Sequence, residues 1–85
     1  MTEITYTITD PKGIHALPAG ELVKLAKGFA CSVRAQGNGQ SIDCKHPFGL
    51  MSLGVKKGQE ITITCDGSDE ALAIAALKDY LSDNL

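Results

Sequence analysis

The feature that most constrains the fold of this chain is the spacing of its apolar residues, which changes from one segment to the next. Ile4, Tyr6 and Ile8 alternate with threonines, which is typical of a β-strand with one buried face. Residues 10–13, Asp-Pro-Lys-Gly, have the composition of a turn. Beyond them, apolar residues recur at helical spacing and predict a helix; they are Ala19, Leu22, Val23, Ala26 and Phe29.

The ends of this helix are also visible in the sequence. Pro18 suits the first turn, where a missing N–H group costs little. Gly28 suits the C-terminal cap, directly after Lys27 in the last turn.

A hairpin is predicted next. Residues 31–36 alternate between apolar and polar side chains and predict a second strand. Asn38-Gly39 is a strong hairpin signal because both positions of the turn need positive φ. The chain should therefore return as a third strand over 41–44, with two inward-facing side chains, Ile42 and Cys44.

The last part of the chain repeats the two spacings. Residues 47–53 fit one or two helical turns, closed by Gly54. Residues 61–65 alternate again and predict a fourth strand. Ser68 is a candidate N-cap for a final helix. We expect the buried stripe of that helix to be Ala71, Ile74, Leu77 and Leu81.

The predicted order of elements is β-α-β-β-α-β-α, which places the chain in the α+β class. Strands with one apolar face and helices with one apolar stripe pack as two layers. We therefore expect an open-faced two-layer sandwich with a four-stranded antiparallel sheet covered on one side by helices. At 85 residues, the chain should form a single domain over 1–85.

Composition excludes several classes of protein. Hydrophobic residues make up 44% of the chain and charged residues 21%, which is typical of globular domains and not of disordered ones. The longest apolar run, 71–77, is too short to cross a bilayer, and the N-terminus resembles no signal peptide. The odd number of cysteines, with no CxxC pair, favours reduced core thiols in a cytoplasmic protein.

Charge is distributed unevenly along the chain. Residues 11–57 carry seven lysines and arginines against two carboxylates, whereas residues 58–85 carry six carboxylates against one lysine. The basic section is suited to an acidic partner or a phosphate group, and ordinary surface charge is the alternative. Its few aromatic residues do not suit a nucleic-acid surface, so we expect no nucleic-acid partner.

His15 is the main candidate for chemistry because it stands just before the predicted helix. The first turn of a helix has backbone N–H groups without helical partners, and these donors favour negative charge. A phosphoryl group on the imidazole of His15 would place its oxygens over them. From position alone, a capping or surface histidine without chemistry is the alternative.

Several segments together resemble HPr, the histidine-containing phosphocarrier family of bacterial sugar phosphotransferase systems. Residues 13–19, Gly-Ile-His-Ala-Leu-Pro-Ala, resemble the active-site segment of that family, and Asn38-Gly39 matches its hairpin. Residues 51–55, Met-Ser-Leu-Gly-Val, and 60–63, Glu-Ile-Thr-Ile, match its second signature and last strand. The resemblance spans essentially the whole chain, and the family fold is an open-faced β/α sandwich.

The resemblance implies that His15 accepts a phosphoryl group from phosphorylated enzyme I and passes it to IIA components of sugar permeases. Such a carrier is itself modified and discharged, so its status as an enzyme stays open. The backbone N–H groups of Ala16 and Leu17 would bind the phosphoryl oxygens. We expect a monomer without cofactor, metal or membrane insertion. The family's docking surface corresponds to Leu17, Gly20, Lys24, Lys27, Lys45, Pro47, Phe48 and Met51. For Phe48 and Met51, core packing is the alternative.

Two positions depart from the family pattern. Leu17 replaces an arginine, whose charged and forked donor a leucine cannot supply. His46 stands where many members carry a regulatory serine, and it has no hydroxyl for a kinase to modify. These departures favour an alternative function, a regulatory module that binds partners through the His15–Phe48 face with weak or no transfer. A relative that serves a non-sugar phosphorelay is a third interpretation.

A metal site has little support in the sequence. Cys44 and His46 are spaced two residues apart, and no further cluster of ligands accompanies them. An exposed histidine beside Pro47 is the simpler interpretation of His46.

Overall fold

The order of strands and helices is the one that the apolar spacing predicts. The computed structural model describes the backbone of residues 1–85 and every side chain except those of Pro47 and Phe48. The elements in chain order are β1 (Thr2–Thr7), α1 (Ala16–Lys27), β2 (Ser32–Gly37), β3 (Gln40–Asp43), α2 (Pro47–Ser52), β4 (Glu60–Asp66) and α3 (Glu70–Asn84).

The four strands form one antiparallel sheet in the order β1-β4-β2-β3. Ile63 of β4 lies opposite Ile4 of β1 on one side and Ala35 of β2 on the other. Because the side chains of a strand alternate, this register puts the apolar residues of neighbouring strands on the same face. Threonines occupy the other face, where the hydroxyls of Thr5 and Thr62 lie 3.1 Å apart.

The core lies between the inner face of the sheet and the helices. Its sheet side includes Val33 and Ile61, and its helix side includes Leu22 of α1 and Leu77 of α3, each at most 1% exposed. Among the described side chains, those buried in this core are apolar or thiol groups. The predicted two-layer sandwich with helices on one side of the sheet is confirmed.

The three cysteines are free thiols in this core, and Cys44 and Cys65 face inward as predicted. Burial is the main cause that raises the pKa of Cys44 to about 12 and that of Cys65 to about 11. Because thiolates are the reactive form, these side chains serve packing. No helix in the described part of the chain is both long and apolar enough to cross a membrane.

The buried stripe of α3 differs from the prediction at one position. Its buried residues are Ala73, Ile74, Leu77 and Leu81, and Ala71 is exposed. At about 100° per residue, Ala71 falls beyond Ile74 on the helix surface, on the side away from Leu77. The i, i+3 spacing from Ala71 to Ile74 is therefore not sufficient to place both of them on the buried face.

The start of α3 also differs from the prediction. The N-cap residue is Asp69 instead of Ser68, and its side chain does not cap its own helix. The Asp69 carboxylate instead accepts hydrogen bonds from the backbone N–H groups of Ala30, at 2.8 Å, and Cys31, at 2.9 Å. These bonds connect the start of α3 to the segment that leads into β2, and they lower the pKa of Asp69.

Asp69 should therefore contribute to stability in a pH-dependent way. A carboxyl group whose pKa is lower in the folded chain stabilises the fold above its ordinary pKa of 3.8, and this contribution disappears as pH falls through the lower folded value. We expect Asp69→Asn to lower the Tm at pH 7, with the difference from the native chain shrinking as the pH falls below about 4. Asp79→Asn, an exposed site on the same helix, is the control and should leave the Tm nearly unchanged. A deficit in Asp69→Asn that is equal at all pH values would contradict this role.

A close backbone contact holds the loop between β1 and α1 in place. Gly13 has φ +65, and a Cβ atom there would lie 2.4 Å from the carbonyl oxygen of Val55. The same oxygen accepts a hydrogen bond from the N–H group of Ile14 at 3.2 Å. Gly13 therefore permits both the turn and the contact between this loop and the segment that precedes β4.

The two roles of Gly13 can be separated by comparison with Gly39. Gly39 has φ +78, but no atom lies within 4 Å of its ideal Cβ position. We expect Gly39→Ala to cost about 1 kcal/mol of unfolding free energy from backbone strain alone. Gly13→Ala should cost roughly 1–3 kcal/mol more, because its Cβ meets backbone that must shift. Equal losses, measured by denaturant unfolding, would show that the contact with Val55 does not matter.

Candidate functional site

His15 is the N-cap residue of α1, with extended backbone angles and no hydrogen bond from its side chain to the helix. The predicted position of Pro18 in the first turn is confirmed, and proline contributes no N–H group there. The N–H group of Ala19 bonds to the carbonyl oxygen of His15 at 3.0 Å. Among the described hydrogen bonds, the first-turn donors without a partner are therefore those of Ala16 and Leu17.

The imidazole of His15 is half-buried and faces a carboxylate that the sequence analysis did not single out. Its Nε2 atom lies 3.4 Å from Oδ2 of Asp10, in the turn that follows β1. The N–H group of Lys12 bonds to the other carboxylate oxygen of Asp10, Oδ1, at 2.8 Å. This backbone bond is the main cause that lowers the pKa of Asp10, and the contact with His15 adds to it.

The turn that carries Asp10 is supported by the C-terminal end of α3. The main-chain oxygen of Leu85 accepts hydrogen bonds from the N–H group of Asp10, at 2.9 Å, and from the hydroxyl of Thr9, also at 2.9 Å. The N–H group of Gly13 closes the turn onto the carbonyl oxygen of Asp10 at 2.9 Å. The segment that leads to His15 is thus fixed by contacts far apart in the sequence.

A small pocket of about 170 Å³ opens beside His15. On its wall, the hydroxyl of Tyr80 in α3 donates a hydrogen bond of 2.7 Å to the carboxylate of Glu21 in α1. Burial, and secondly this contact, raise the pKa of Tyr80, so the phenol stays protonated. The pocket is lined by Asp10, His15, Leu17, Pro18, Glu21, Tyr80 and Asn84. None of these described lining residues carries a positive charge at neutral pH unless His15 is protonated.

The predicted docking residues lie on α1, on α2 and in the segment between β3 and α2. Leu17 is 69% exposed and Met51 is 36% exposed, so neither side chain belongs to the core. Gly20, Lys24 and Lys27 are exposed on α1, and a Cβ atom at Gly20 would meet nothing within 4 Å. The two helices pack against each other, which brings Leu17 and Met51 onto neighbouring elements. The predicted roles of Pro47 and Phe48 depend on side chains that lie outside the described residues.

Lys45 is placed differently from the other predicted lysines. It is half-buried, and its Nζ donates a hydrogen bond of 2.9 Å to the carbonyl oxygen of Phe29, just after α1. This bond satisfies a carbonyl group at the negative end of the helix. The charge of Lys45 is therefore directed at its own chain, whereas Lys24 and Lys27 extend into solvent.

His46 is an exposed residue at the N-cap of α2, and its Nε2 lies 4.0 Å from Oδ2 of Asp43. Cys44 is buried in the core, so these two residues do not face a common site. Within the part of the chain that the structure describes, no group of three or more histidine, cysteine or carboxylate side chains is arranged to hold a metal ion.

The chain is similar to known proteins over nearly its whole length. A family model described as the PTS HPr component phosphorylation site matches residues 2–83. The histidine-containing phosphocarrier protein of a Mycoplasma is 35% identical, with a TM-score of 0.93, over 96% of this chain and 93% of that one. HPr from Thermoanaerobacter tengcongensis is 34% identical, with a TM-score of 0.92, over 98% and 93%. Crh of Bacillus subtilis, a catabolite repression protein, is 30% identical, with a TM-score of 0.78, over 100% and 98%.

Proposed function

This chain belongs to the HPr family, and we propose that it is a phosphocarrier that receives a phosphoryl group on His15. The group would come from phosphorylated enzyme I and pass to IIA components of a sugar phosphotransferase system. We further propose that residues 1–85 act as one domain, as a cytoplasmic monomer that is charged and then discharged.

The observation that carries this proposal is the geometry at the start of α1. The ring of His15 is accessible, and the N–H groups of Ala16 and Leu17 have no partner within the described hydrogen bonds. An incoming phosphoryl group would meet a nitrogen nucleophile together with two backbone donors for its oxygens. In phosphoryl transfer, positioning and stabilisation of developing charge supply most of the catalysis.

The surroundings of His15 support docking of a protein partner. Leu17 and Met51 expose apolar surface on α1 and α2, and removal of such surface from water favours association. Lys24 and Lys27 lie exposed on α1 and would attract a partner with acidic groups. Lys45 donates a hydrogen bond to the Phe29 carbonyl, so it would contribute to the shape of this surface more than to its charge.

The first test is direct phosphorylation. Incubated with phosphoenolpyruvate and enzyme I, the native chain should gain one phosphate on a ring nitrogen of His15, visible by intact-mass analysis and lost in acid. His15→Ala should gain none. His46→Ala, which removes the other histidine at an exposed position, should be phosphorylated like the native chain. A stable phosphate on His15→Ala would assign the site to another residue.

A second candidate function is regulatory binding without efficient transfer. Leu17 supplies no positive charge, and the carboxylate of Glu21 lines the pocket beside His15. A phosphoryl group with two negative charges is disfavoured in such a setting. The similarity to Crh of Bacillus subtilis, a protein named for catabolite repression, supports the same candidate.

The substitution Leu17→Arg tests whether the missing positive charge slows transfer. A hydrogen bond to a charged group contributes about 1.5–3 kcal/mol, so the arginine should speed single-turnover phosphorylation by enzyme I by up to roughly 10- to 150-fold. Leu17→Met, which keeps the apolar surface and adds no charge, should not reproduce the gain. A rate for Leu17→Arg that is no higher than the native rate would show that the missing positive charge does not limit transfer in this chain, and it would remove this argument for the regulatory candidate.

A further inference from the structure

We propose that Asp10 is a positioning residue for His15. The carboxylate of Asp10 orients the imidazole through Nε2 and stabilises the positive charge that the ring carries when it is phosphorylated. This inference rests on the proposed function, because it concerns the ring that would carry the phosphoryl group. It concerns a side chain of the turn after β1, outside the helix that presents the histidine.

The carboxylate of Asp10 is held in place before any partner arrives. Its Oδ1 accepts the N–H group of Lys12 at 2.8 Å, and its Oδ2 faces Nε2 of His15 at 3.4 Å. Its own N–H group is bound to the main-chain oxygen of Leu85 at 2.9 Å. Both side chains are partly shielded from water, with 35% of His15 and 22% of Asp10 exposed. The direction of the carboxylate is therefore fixed by the turn.

The state of this carboxylate decides which ring nitrogen is free. The pKa of Asp10 is lowered by the N–H group of Lys12 and by His15, so the group is ionised at neutral pH. An ionised carboxylate only accepts hydrogen bonds, so a bond to Nε2 requires the proton of a neutral ring to be on Nε2. Nδ1 then carries the lone pair and is the nucleophile.

Asp10 is the charged group that reaches the ring, although other titratable groups face the same pocket. Glu21 lines the pocket from α1, but its carboxylate accepts the hydroxyl of Tyr80 at 2.7 Å. Tyr80 lines it from α3 and stays neutral because its pKa is raised. Among the described contacts, Asp10 alone places a carboxylate oxygen against His15.

This arrangement lets the phosphoryl group move without a proton transfer. The lone pair of Nδ1 attacks phosphorus, and the bond between phosphorus and the donor atom breaks, with its electron pair returning to the donor. The Nε2 proton stays in place, and the ring becomes a phosphorylated cation beside the Asp10 carboxylate. On onward transfer the electrons of the N–P bond return to Nδ1, and the ring is neutral again.

The test uses the full chain phosphorylated chemically with phosphoramidate, which requires no partner protein. A failure of enzyme I to recognise the chain would therefore count against the proposed function and not against the role of Asp10. Hydrolysis of the phosphohistidine is followed by phosphorus NMR between about pH 4 and pH 9 in the native chain, in Asp10→Asn and in Asp10→Ser, each carrying His46→Ala so that His15 is the one histidine that phosphoramidate can modify. The serine variant keeps an acceptor for the N–H group of Lys12, so it preserves the turn if the asparagine variant does not fold.

The N–P bond of the phosphorylated ring hydrolyses faster while Nε2 keeps its proton. Because the Asp10 carboxylate stabilises this protonated ring, it should extend fast hydrolysis to higher pH. We expect the midpoint of the pH profile to fall by about 0.5 pH unit in both Asp10 variants, as for a partly exposed ion pair. Glu21→Gln removes a charge from the same pocket without touching the ring and should move the midpoint less than half as far. Nitrogen NMR of the unphosphorylated chain above about pH 8 should show more of the Nδ1–H tautomer in Asp10→Ser than in the native chain.

Two results would overturn the role of Asp10. One is a pH profile that is the same in the native chain and in both Asp10 variants. The other is an equal shift of the midpoint in Glu21→Gln, which would show that any negative charge in the pocket has the same effect as Asp10. A changed profile together with a changed tautomer in the Asp10 variants alone supports the proposal.

Discussion

The position of His15 depends on two main-chain oxygens that hold the preceding turn from different sides. The oxygen of Leu85 accepts the N–H group of Asp10, and the carbonyl oxygen of Val55 accepts that of Ile14 while lying against Gly13. One oxygen comes from the end of α3 and the other from the segment before β4. The local geometry at the start of α1 is therefore a product of the whole fold.

This dependence explains why the elements were easier to predict than the site. Periods of two and of 3.6 residues are local properties, and they were sufficient to predict all seven elements and the side of the sheet that the helices cover. The candidate residue His15 was also visible, because a proline three residues later marks a helix start. Within α3, spacing alone did not distinguish Ala71 from Ala73, since the true face is set by packing of the helix against the sheet.

The sequence did not reveal Asp10, Glu21 and Tyr80 as pocket residues. Their contacts join distant positions, or their composition already fits another role. Asp10 has the composition of a turn residue and does form the turn, so its second role toward His15 left no separate trace in the sequence. Glu21 and Tyr80 meet across 59 positions, which no periodicity reports. Likewise, Asp69 suits a helix start by composition, yet its carboxylate bonds to Ala30 and Cys31 of another segment.

The contact between Asp10 and His15 shows how a partly exposed pair can matter for chemistry. Exposed ion pairs contribute little to stability, largely because two mobile side chains lose freedom when they meet and water screens their charges. Here the carboxylate is already immobilised by the N–H group of Lys12 and by the turn, so little further freedom is lost when it meets the ring. Under the proposed function, the interaction strengthens when the ring becomes positive, which is the state that matters for phosphoryl transfer. The turn before the helix would then supply a fixed negative charge for the ring, which the N-terminus of α1 alone does not supply.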